Sequence, residues 1–313
     1  MPSDSRNKRI LADLALLFCS LIWGATFVAV KDALADVSVF VYLAVRFAIA
    51  AVVLGLLFWR TVREIRPPTM WAGIQIGFFM LGGYAFQTTG LRYTTPSKAA
   101  FITGSSVVLV PLLLAAFGRG RRINGWIWAG AISALAGLYF LTVPHGEGLG
   151  GLNRGDPIVF GGAVMFALHI IFISRYVGKH SAVALSFIQI ATTAVLSGLA
   201  LPFLSELGYE VPQLHFTRTV VVATLITALG STAIGFTFQN WAQQYTTPSH
   251  TAIFISLEPV FAILTSWLLA SERLNGRLLF GAALILLGIL FAELKGPAPA
   301  APESPEPIAH ALE

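Results

Sequence analysis

Four ionisable side chains stand inside or next to long apolar stretches of this sequence, where such groups are uncommon. Arg46, His169 and Glu258 are flanked on both sides by mostly apolar residues, and Lys98 opens another apolar stretch. A carboxylate can carry a proton or hold an ammonium group, and a planar guanidinium group matches the shape of a carboxylate. Histidine can gain or lose a proton near neutral pH. These four residues are therefore the first candidates for ionic binding and proton transfer.

A second group of polar and aromatic residues has the spacing of a single helix face. Trp23 and Thr26 are three residues apart, as are Tyr84 and Gln87, and residues three apart are neighbours on a helix surface. Such residues can bind a small zwitterion or metabolite, and they can equally form contacts that close a gate. The candidate substrate-binding residues are Trp23, Thr26, Tyr84, Gln87, Lys98, Phe101, His169, Gln239 and Asn240, and the candidate coupling or structural charges are Glu258 and Arg46.

The composition indicates which elements must position these residues. The chain has 313 residues, of which 56% are hydrophobic and 11% charged, and its mean hydropathy is +0.76. Soluble domains carry about 25% charged residues, so the surroundings of this protein are predicted to be a lipid bilayer. The formal net charge of +5 is spread between the apolar stretches, a pattern that does not favour a nucleic-acid partner.

Ten apolar windows are long enough to cross a bilayer. A spanning helix needs about 20 mostly apolar residues, and continuous apolar stretches favour helices over the alternating strands of a barrel. The sequence therefore predicts an all-α polytopic membrane protein with ten transmembrane helices. The windows are 10–30, 38–59, 70–91, 97–117, 125–143, 156–174, 182–204, 218–241, 249–269 and 277–294.

The chain contains two copies of one sequence unit. Residues 93–97, Tyr-Thr-Thr-Pro-Ser, return unchanged as residues 245–249, which is 152 positions later (245 − 93). Such self-similarity indicates an internal duplication. Other matched pairs are Asp13 with Asp156 and Arg46 with Gln189 at offset 143 (156 − 13 and 189 − 46), Tyr84 with Phe236 and Gln87 with Gln239 at offset 152 (236 − 84 and 239 − 87), and Gly130 with Gly281 and Gly137 with Gly288 at offset 151 (281 − 130 and 288 − 137).

An odd number of helices per copy makes the second copy enter the membrane from the opposite side. With five predicted helices in each, the expected architecture is two inverted five-helix repeats, at 10–143 and 156–294, with a binding site near the bilayer midplane between them. Basic residues favour cytoplasmic loops, and their distribution predicts a cytoplasmic N-terminus at 1–9. Residues 295–313 are then a cytoplasmic tail, which their proline-, alanine- and glutamate-rich composition predicts to be disordered.

Several motifs resemble the EamA branch of the drug/metabolite transporter superfamily. They are Ile22-Trp23-Gly24-Ala25-Thr26-Phe27, Arg46-Phe47, and Ser256-Leu257-Glu258-Pro259-Val260 followed by Ser271-Glu272-Arg273-Leu274. The resemblance covers residues 10–294 and implies a carrier of the bacterial inner membrane that moves small organic solutes, mostly outward. We therefore expect an alternating-access exporter of amino acids or related metabolites, with no cofactor and no metal.

The resemblance also bears on single residues. The Glu258–Pro259 pair resembles a family-wide signature although substrates vary, which favours a structural role for Glu258 over proton coupling or the binding of a substrate amine. The resemblance places the second helix at the periphery, which favours an interhelical anchor at Arg46.

A lone histidine such as His169 is more often a packing residue than a ligand. Lys98 and its counterpart His250 could attract an anion or extend to the membrane interface.

Other functions are weighed against this expectation. A sugar-phosphate or nucleotide-sugar exchanger of the same superfamily should line its cavity with several basic residues, whereas Arg46 and Lys98 are the candidates here. A non-transporting scaffold or sensor would need a soluble domain for signalling. An enzyme is not expected, since the sequence has no His-Glu-x-x-His motif, no Gly-x-Ser-x-Gly motif and no pair of intramembrane aspartates.

Two matched pairs of glycines mark a close-packing helix face. Gly130 and Gly137 are seven residues apart, as are Gly281 and Gly288. Small residues at such spacing allow another helix to approach closely. The face they form could be an intramolecular seam or the interface of a homodimer.

Overall fold

The computed structural model of the chain describes residues 2–94, 96–117, 124–142, 153–261, 264 and 276–295, and these residues are mainly helical. Each of the ten predicted windows contains helical residues within these ranges. The elements are α1 (Pro2–Ala33), α2 (Val39–Leu57), α3 (Trp59–Arg63), α4 (Pro67–Leu91), α5 (Pro96–Gly104), α6 (Ser106–Phe117), α7 (Gly125–Thr142), α8 (Gly155–Tyr176), α9 (Ala182–Glu206), α10 (Arg218–Ile226), a π-helical segment (Thr227–Ile234), α11 (Gly235–Ala242), α12 (Pro248–Ile255) and α13 (Gly276–Lys295).

The helices confirm an all-α polytopic membrane protein. Two shorter apolar helices, Gly125–Phe140 and Leu279–Phe291, accompany the longer ones. Helix α4 is 25 residues long, but its glutamines and glycines lower its hydropathy. Six helical stretches in the described residues are long and apolar enough to cross a bilayer: Arg6–Ala33, Val39–Leu57, Ala99–Ala116, Gly155–Tyr176, Ala182–Glu206 and Arg218–Ala242.

Three details differ from the predicted windows. Helix α1 begins at Pro2, so the polar N-terminal segment extends the first helix instead of preceding it. The fourth window is broken at Ser105 and the eighth contains the π-helical segment. The predicted tail beyond Lys295 lies outside the described residues, as does the second part of the family motif at 271–274.

Helices α7 and α13 pack against each other with backbone nearly touching backbone. A Cβ atom added to Gly130 would lie 2.7 Å from the carbonyl oxygen of Gly288, and one added to Gly137 would lie 2.5 Å from that of Gly281. The glycine face is therefore an intramolecular seam. The two helices are antiparallel, because Gly130 contacts Gly288 whereas Gly137 contacts Gly281. They are equivalent helices of the two copies, so the second repeat is inverted relative to the first.

The same pseudo-two-fold relation holds elsewhere in the bundle. Helix α4 packs on α8, and the helices of the eighth window pack on α1. A Cβ atom on Gly83 would lie 2.6 Å from the Phe166 ring, and one on Gly235 would lie 2.9 Å from Nε1 of Trp23. Gly83 corresponds to Gly235 (235 − 83 = 152) and Trp23 to Phe166 (166 − 23 = 143). The duplication thus persists as pairs of equivalent side-chain contacts.

The seam generates a prediction for stability. Gly137→Ala should destabilise the protein by about 1–3 kcal/mol, because the new methyl group meets backbone that cannot rotate away. The measurement is unfolding of purified protein in detergent.

Gly198→Ala in α9 is the matched control, since a Cβ atom there meets nothing within 4 Å. It should be neutral or stabilising by up to about 1 kcal/mol. Equal stability of both variants would contradict the close packing at Gly137.

Candidate functional site

A central cavity lies between the two repeats and contains ≈ 870 Å³ of free space, its open mouth included. Both repeats contribute to its wall, which combines aromatic rings with a few polar groups. This composition is typical of small-molecule sites. The lining residues are Trp23, Thr26, Phe27, Val30, Arg46, Tyr84, Gln87, Thr88, Leu91, Ala100, Thr103, Gly104, Ser106, Phe166, His169, Ile170, Phe236, Gln239, Ile255, Glu258 and Pro259.

Helices α1 and α4 each present one stripe of residues to the cavity. The stripes follow the i, i+3, i+4, i+7 spacing of a single helix face. Each stripe lies in the C-terminal third of its helix. The stripes consist of Trp23, Thr26, Phe27 and Val30 on α1, and of Tyr84, Gln87, Thr88 and Leu91 on α4.

Two helix breaks at equivalent positions bring Ser106 and Glu258 to the cavity. Helix α5 ends before Ser105 and α6 begins at Ser106, while α12 ends at Ile255 and helical structure resumes at Glu258 (258 − 106 = 152). Pro259 lies in the first turn of the resumed helix, where a proline is tolerated, whereas a proline in the interior of a helix would disrupt it. The start of a helix carries a partial positive charge, which favours a carboxylate at the position of Glu258. Broken helices that end at a central cavity are typical of transporter binding sites.

Arg46 is the cation of the described cavity wall. Its Nε donates to Thr232 Oγ1 at 2.8 Å, and its Nη2 donates to the Tyr84 hydroxyl at 3.4 Å. The guanidinium carbon lies 4.8 Å from the centre of the Tyr84 ring and 5.3 Å from that of Phe47. In the part of the chain that the structure describes, no carboxylate forms an ion pair with this guanidinium. Arg46 is thus an anchored cation with remaining hydrogen-bonding capacity.

Two polar pairs complete the wall. His169 Nε2 lies 2.9 Å from Gln189 Oε1, and since this amide oxygen can only accept, Nε2 is the donor. Gln87 Nε2 donates to Thr103 Oγ1 at 3.1 Å. Both pairs add hydrogen-bonding groups to the cavity wall.

Most of the predicted site residues meet at this cavity. Trp23, Thr26, Tyr84, Gln87, His169, Gln239, Arg46 and Glu258 line it. Phe101 packs instead near Tyr139, with ring centres 6.3 Å apart. Asn240 faces α9, where its Nδ2 donates to Ser186 Oγ at 2.8 Å. The Lys98 side chain lies outside the described residues.

Several lining residues were not among the sequence candidates. They are mainly apolar or small, and in an apolar chain the sequence alone does not distinguish such residues from residues that only pack. The duplication contains a signal for two of them, since Phe166 corresponds to Trp23 and Phe236 to Tyr84. The residues in question include Phe27, Thr88, Thr103, Phe166 and Phe236.

The pathway is closed at the membrane face where α1 begins, called here the N face. The Asp13 carboxylate lies 2.8 Å from His250 Nε2, and Ser20 Oγ donates to the Phe254 carbonyl at 2.9 Å. A cluster of buried apolar residues, including Leu16 and Phe254, fills the space between these contacts. The cavity extends to the opposite end of α1 instead, towards Val30 and the start of α5.

Fold and cavity define an all-α membrane carrier. Residues 10–143 and 153–294 each match the EamA-like transporter family, and the chain belongs to this family. No cluster of three or more histidine, cysteine or acidic residues able to hold a metal ion occurs in the described ranges.

Known proteins resemble this chain over most of their length. An uncharacterized transporter of Archaeoglobus fulgidus is 36% identical over 92% of this chain and 87% of its own. A probable amino-acid metabolite efflux pump of Escherichia coli K12 is 23% identical over 91% of this chain and 94% of its own. A solved crystal structure with 22% identity matches with a TM-score of 0.72 over 90% of this chain and 96% of its own, which shows a shared fold.

The one-sided cavity generates a prediction for chemical accessibility. In a Cys19→Ala background, Thr103→Cys, at a partly exposed position of the cavity wall, should react with a membrane-impermeant thiol reagent added at the face opposite the N face. Leu16→Cys should not react from either face, because Leu16 is 0% exposed in the closed cluster. Labelling is measured by mass spectrometry, and both variants should react fully after denaturation. Fast labelling of Leu16→Cys from the N face would contradict the closure.

Proposed function

We propose that this transporter exports amino acids or related small metabolites across the inner membrane by alternating access, with both termini in the cytoplasm. The observation that carries the proposal is the presence of one carboxyl and one guanidinium side chain, those of Glu258 and Arg46, on the same cavity wall. A free amino acid bears an ammonium group and a carboxylate. Each of these two groups therefore has a complementary partner in the site.

Glu258, Arg46 and Tyr84 line the same cavity, and Arg46 Nη2 donates to the Tyr84 hydroxyl at 3.4 Å. We assign the substrate ammonium group to Glu258 and the substrate carboxylate to Arg46. The guanidinium group is suited to a carboxylate because it presents a fork of parallel N–H groups. Among the described residues, no group is hydrogen-bonded to the Glu258 carboxyl group, so this carboxyl group can meet a ligand.

The remaining wall suits an apolar substrate side chain. Trp23 and Phe236 pack with ring centres 5.2 Å apart, and Tyr84 and Phe166 lie 5.2 Å apart edge to face. Such rings offer a large apolar surface with little loss of conformational entropy. An amino acid with an apolar or aromatic side chain is therefore the favoured substrate.

Alternating access is supported by the closed N face and by the inverted repeats. Two repeats related by a two-fold axis can exchange their conformations and so close one face while opening the other. For the direction of transport, the support is the name of the Escherichia coli relative, which describes an efflux pump. The basic residues of the predicted loops support the cytoplasmic termini.

The test is counterflow of a radiolabelled amino-acid panel in proteoliposomes. Glu258→Gln and Arg46→Gln should each reduce apparent affinity by about tenfold or more, since a hydrogen bond to a charged group contributes about 1.5–3 kcal/mol. Glu206→Gln, at the exposed end of α9, should behave as wild type. The proposal fails if folded wild-type protein moves no amino acid of the panel, or if both cavity variants keep wild-type affinity.

A further inference from the structure

The π-helical segment is a feature in which the described parts of the two repeats differ. It covers Thr227–Ile234 between α10 and α11. Its counterpart in the first repeat, residues 75–82 (227 − 152 and 234 − 152), is regular α-helix within α4. π-Helical turns are rare and are frequently found at functional sites. This difference therefore points to a role of the segment that is specific to the second repeat.

Three hydrogen bonds connect this segment to the helices that form the cavity wall. All three bonds join the segment to α1 or α2, and two of them involve threonine hydroxyls of the segment. The bonds are Tyr42 hydroxyl to Thr227 Oγ1, Trp23 Nε1 to the Ser231 carbonyl and Arg46 Nε to Thr232 Oγ1, each 2.8 Å long. The positions equivalent to Thr227, Ser231 and Thr232 in α4 are Gln75, Phe79 and Met80, so the first repeat has no such hydroxyls.

The spacing of these bonds explains the unusual winding. Tyr42 and Arg46 are four residues apart on α2 and share one face. Their partners Thr227 and Thr232 are five apart, and five residues of an α-helix would turn them about 140° away from each other. The i to i+5 hydrogen bonds of a π-helix bring such residues back into line. The π winding thus allows both threonines to face α2.

Thr232 determines how Arg46 presents its guanidinium group. Arg46 is 3% exposed, and the short bond from its Nε to Thr232 is better formed than the 3.4 Å contact from Nη2 to Tyr84. A hydrogen bond at Nε fixes the plane of the guanidinium group. It leaves the outer edge, formed by the two Nη groups, as the part that can meet a ligand in the cavity.

We propose that Thr232 is a positioning residue, held in place by the π-helical segment, that orients Arg46 as the subsite for the substrate carboxylate. This inference rests on the proposed function, since it takes the solute to be an amino acid. It goes further by assigning the orientation of Arg46 to a residue that is not part of the described cavity lining. Thr232 acts through Arg46 and does not itself touch the solute.

The experiment compares Thr232→Val, which keeps the shape but removes the acceptor, with Thr232→Ser, which retains it. Counterflow is measured for the best amino acid of the panel and for its carboxamide analogue, which lacks the negative charge. Thr232→Val should raise KM about tenfold for the amino acid, with little change for the carboxamide and for Vmax. Thr232→Ser should restore KM to near the wild-type value.

Thr237→Val is the matched control, because the Thr237 hydroxyl donates to the Ala233 carbonyl of its own helix at 2.7 Å. It should leave both substrates unaffected. In the Arg46→Gln background, Thr232→Val should add no further loss. Equal losses for the amino acid and its carboxamide, or additive losses in the double variant, would overturn the positioning role.

A second measurement separates this inference from the proposed function. If wild-type protein moves no amino acid, the proposed function fails, and the carboxylate assignment fails with it. The Arg46–Thr232 contact is then tested by unfolding in detergent. Thr232→Val should cost stability in the wild-type background and none in the Arg46→Gln background, whereas equal costs in both would show that the two residues are not coupled.

Discussion

The hydrocarbon interior of a membrane contains no water, so polar groups placed there must be satisfied by other groups of the protein. This constraint accounts for the arrangement around the cavity. Arg46 bonds Thr232, His169 bonds Gln189, and the Trp23 indole bonds a backbone carbonyl. A residue anchored in this way keeps its remaining capacity for a solute. Under the proposed function, structural anchoring and solute binding are not alternatives for Arg46, because a guanidinium group anchored through Nε keeps further N–H donors on its Nη atoms.

The duplication accounts for the geometry of the protein, and divergence between the copies accounts for its chemistry. The glycine seam and the contacts of Gly83 and Gly235 follow the two-fold relation closely. The charges do not follow it. Arg46 has Gln189 as its counterpart and Glu258 has Ser106. The two ends of the pathway differ as well, since Asp13 pairs with His250, whereas the equivalent Asp156 accepts a hydrogen bond from Thr94. Equivalent residues at the two faces therefore make different interactions.

Sequence patterns located much of the cavity because helical spacing reports which residues share a face. Tyr84 and Gln87 were predicted together for this reason, and both line the cavity. The same geometry explains why Gln239 lines it while its neighbour Asn240 does not, since consecutive helical residues point about 100° apart. Phe166 and Phe236 were missed because a phenylalanine in an apolar chain has no local signal that separates wall from packing.

Composition, apolar windows and repeat offsets were sufficient to determine an all-α membrane protein made of two inverted copies. Each of these features can be read directly from the order of residues along the chain. Only the tertiary structure showed that the glycines meet within one molecule, that the N face is closed, and that Thr232 reaches Arg46. These properties depend on how each helix is rotated and paired with helices distant in sequence. The packing of the whole bundle determines these rotations and pairings. A π-helical turn that matches two partners on another helix has no signature in its own residues.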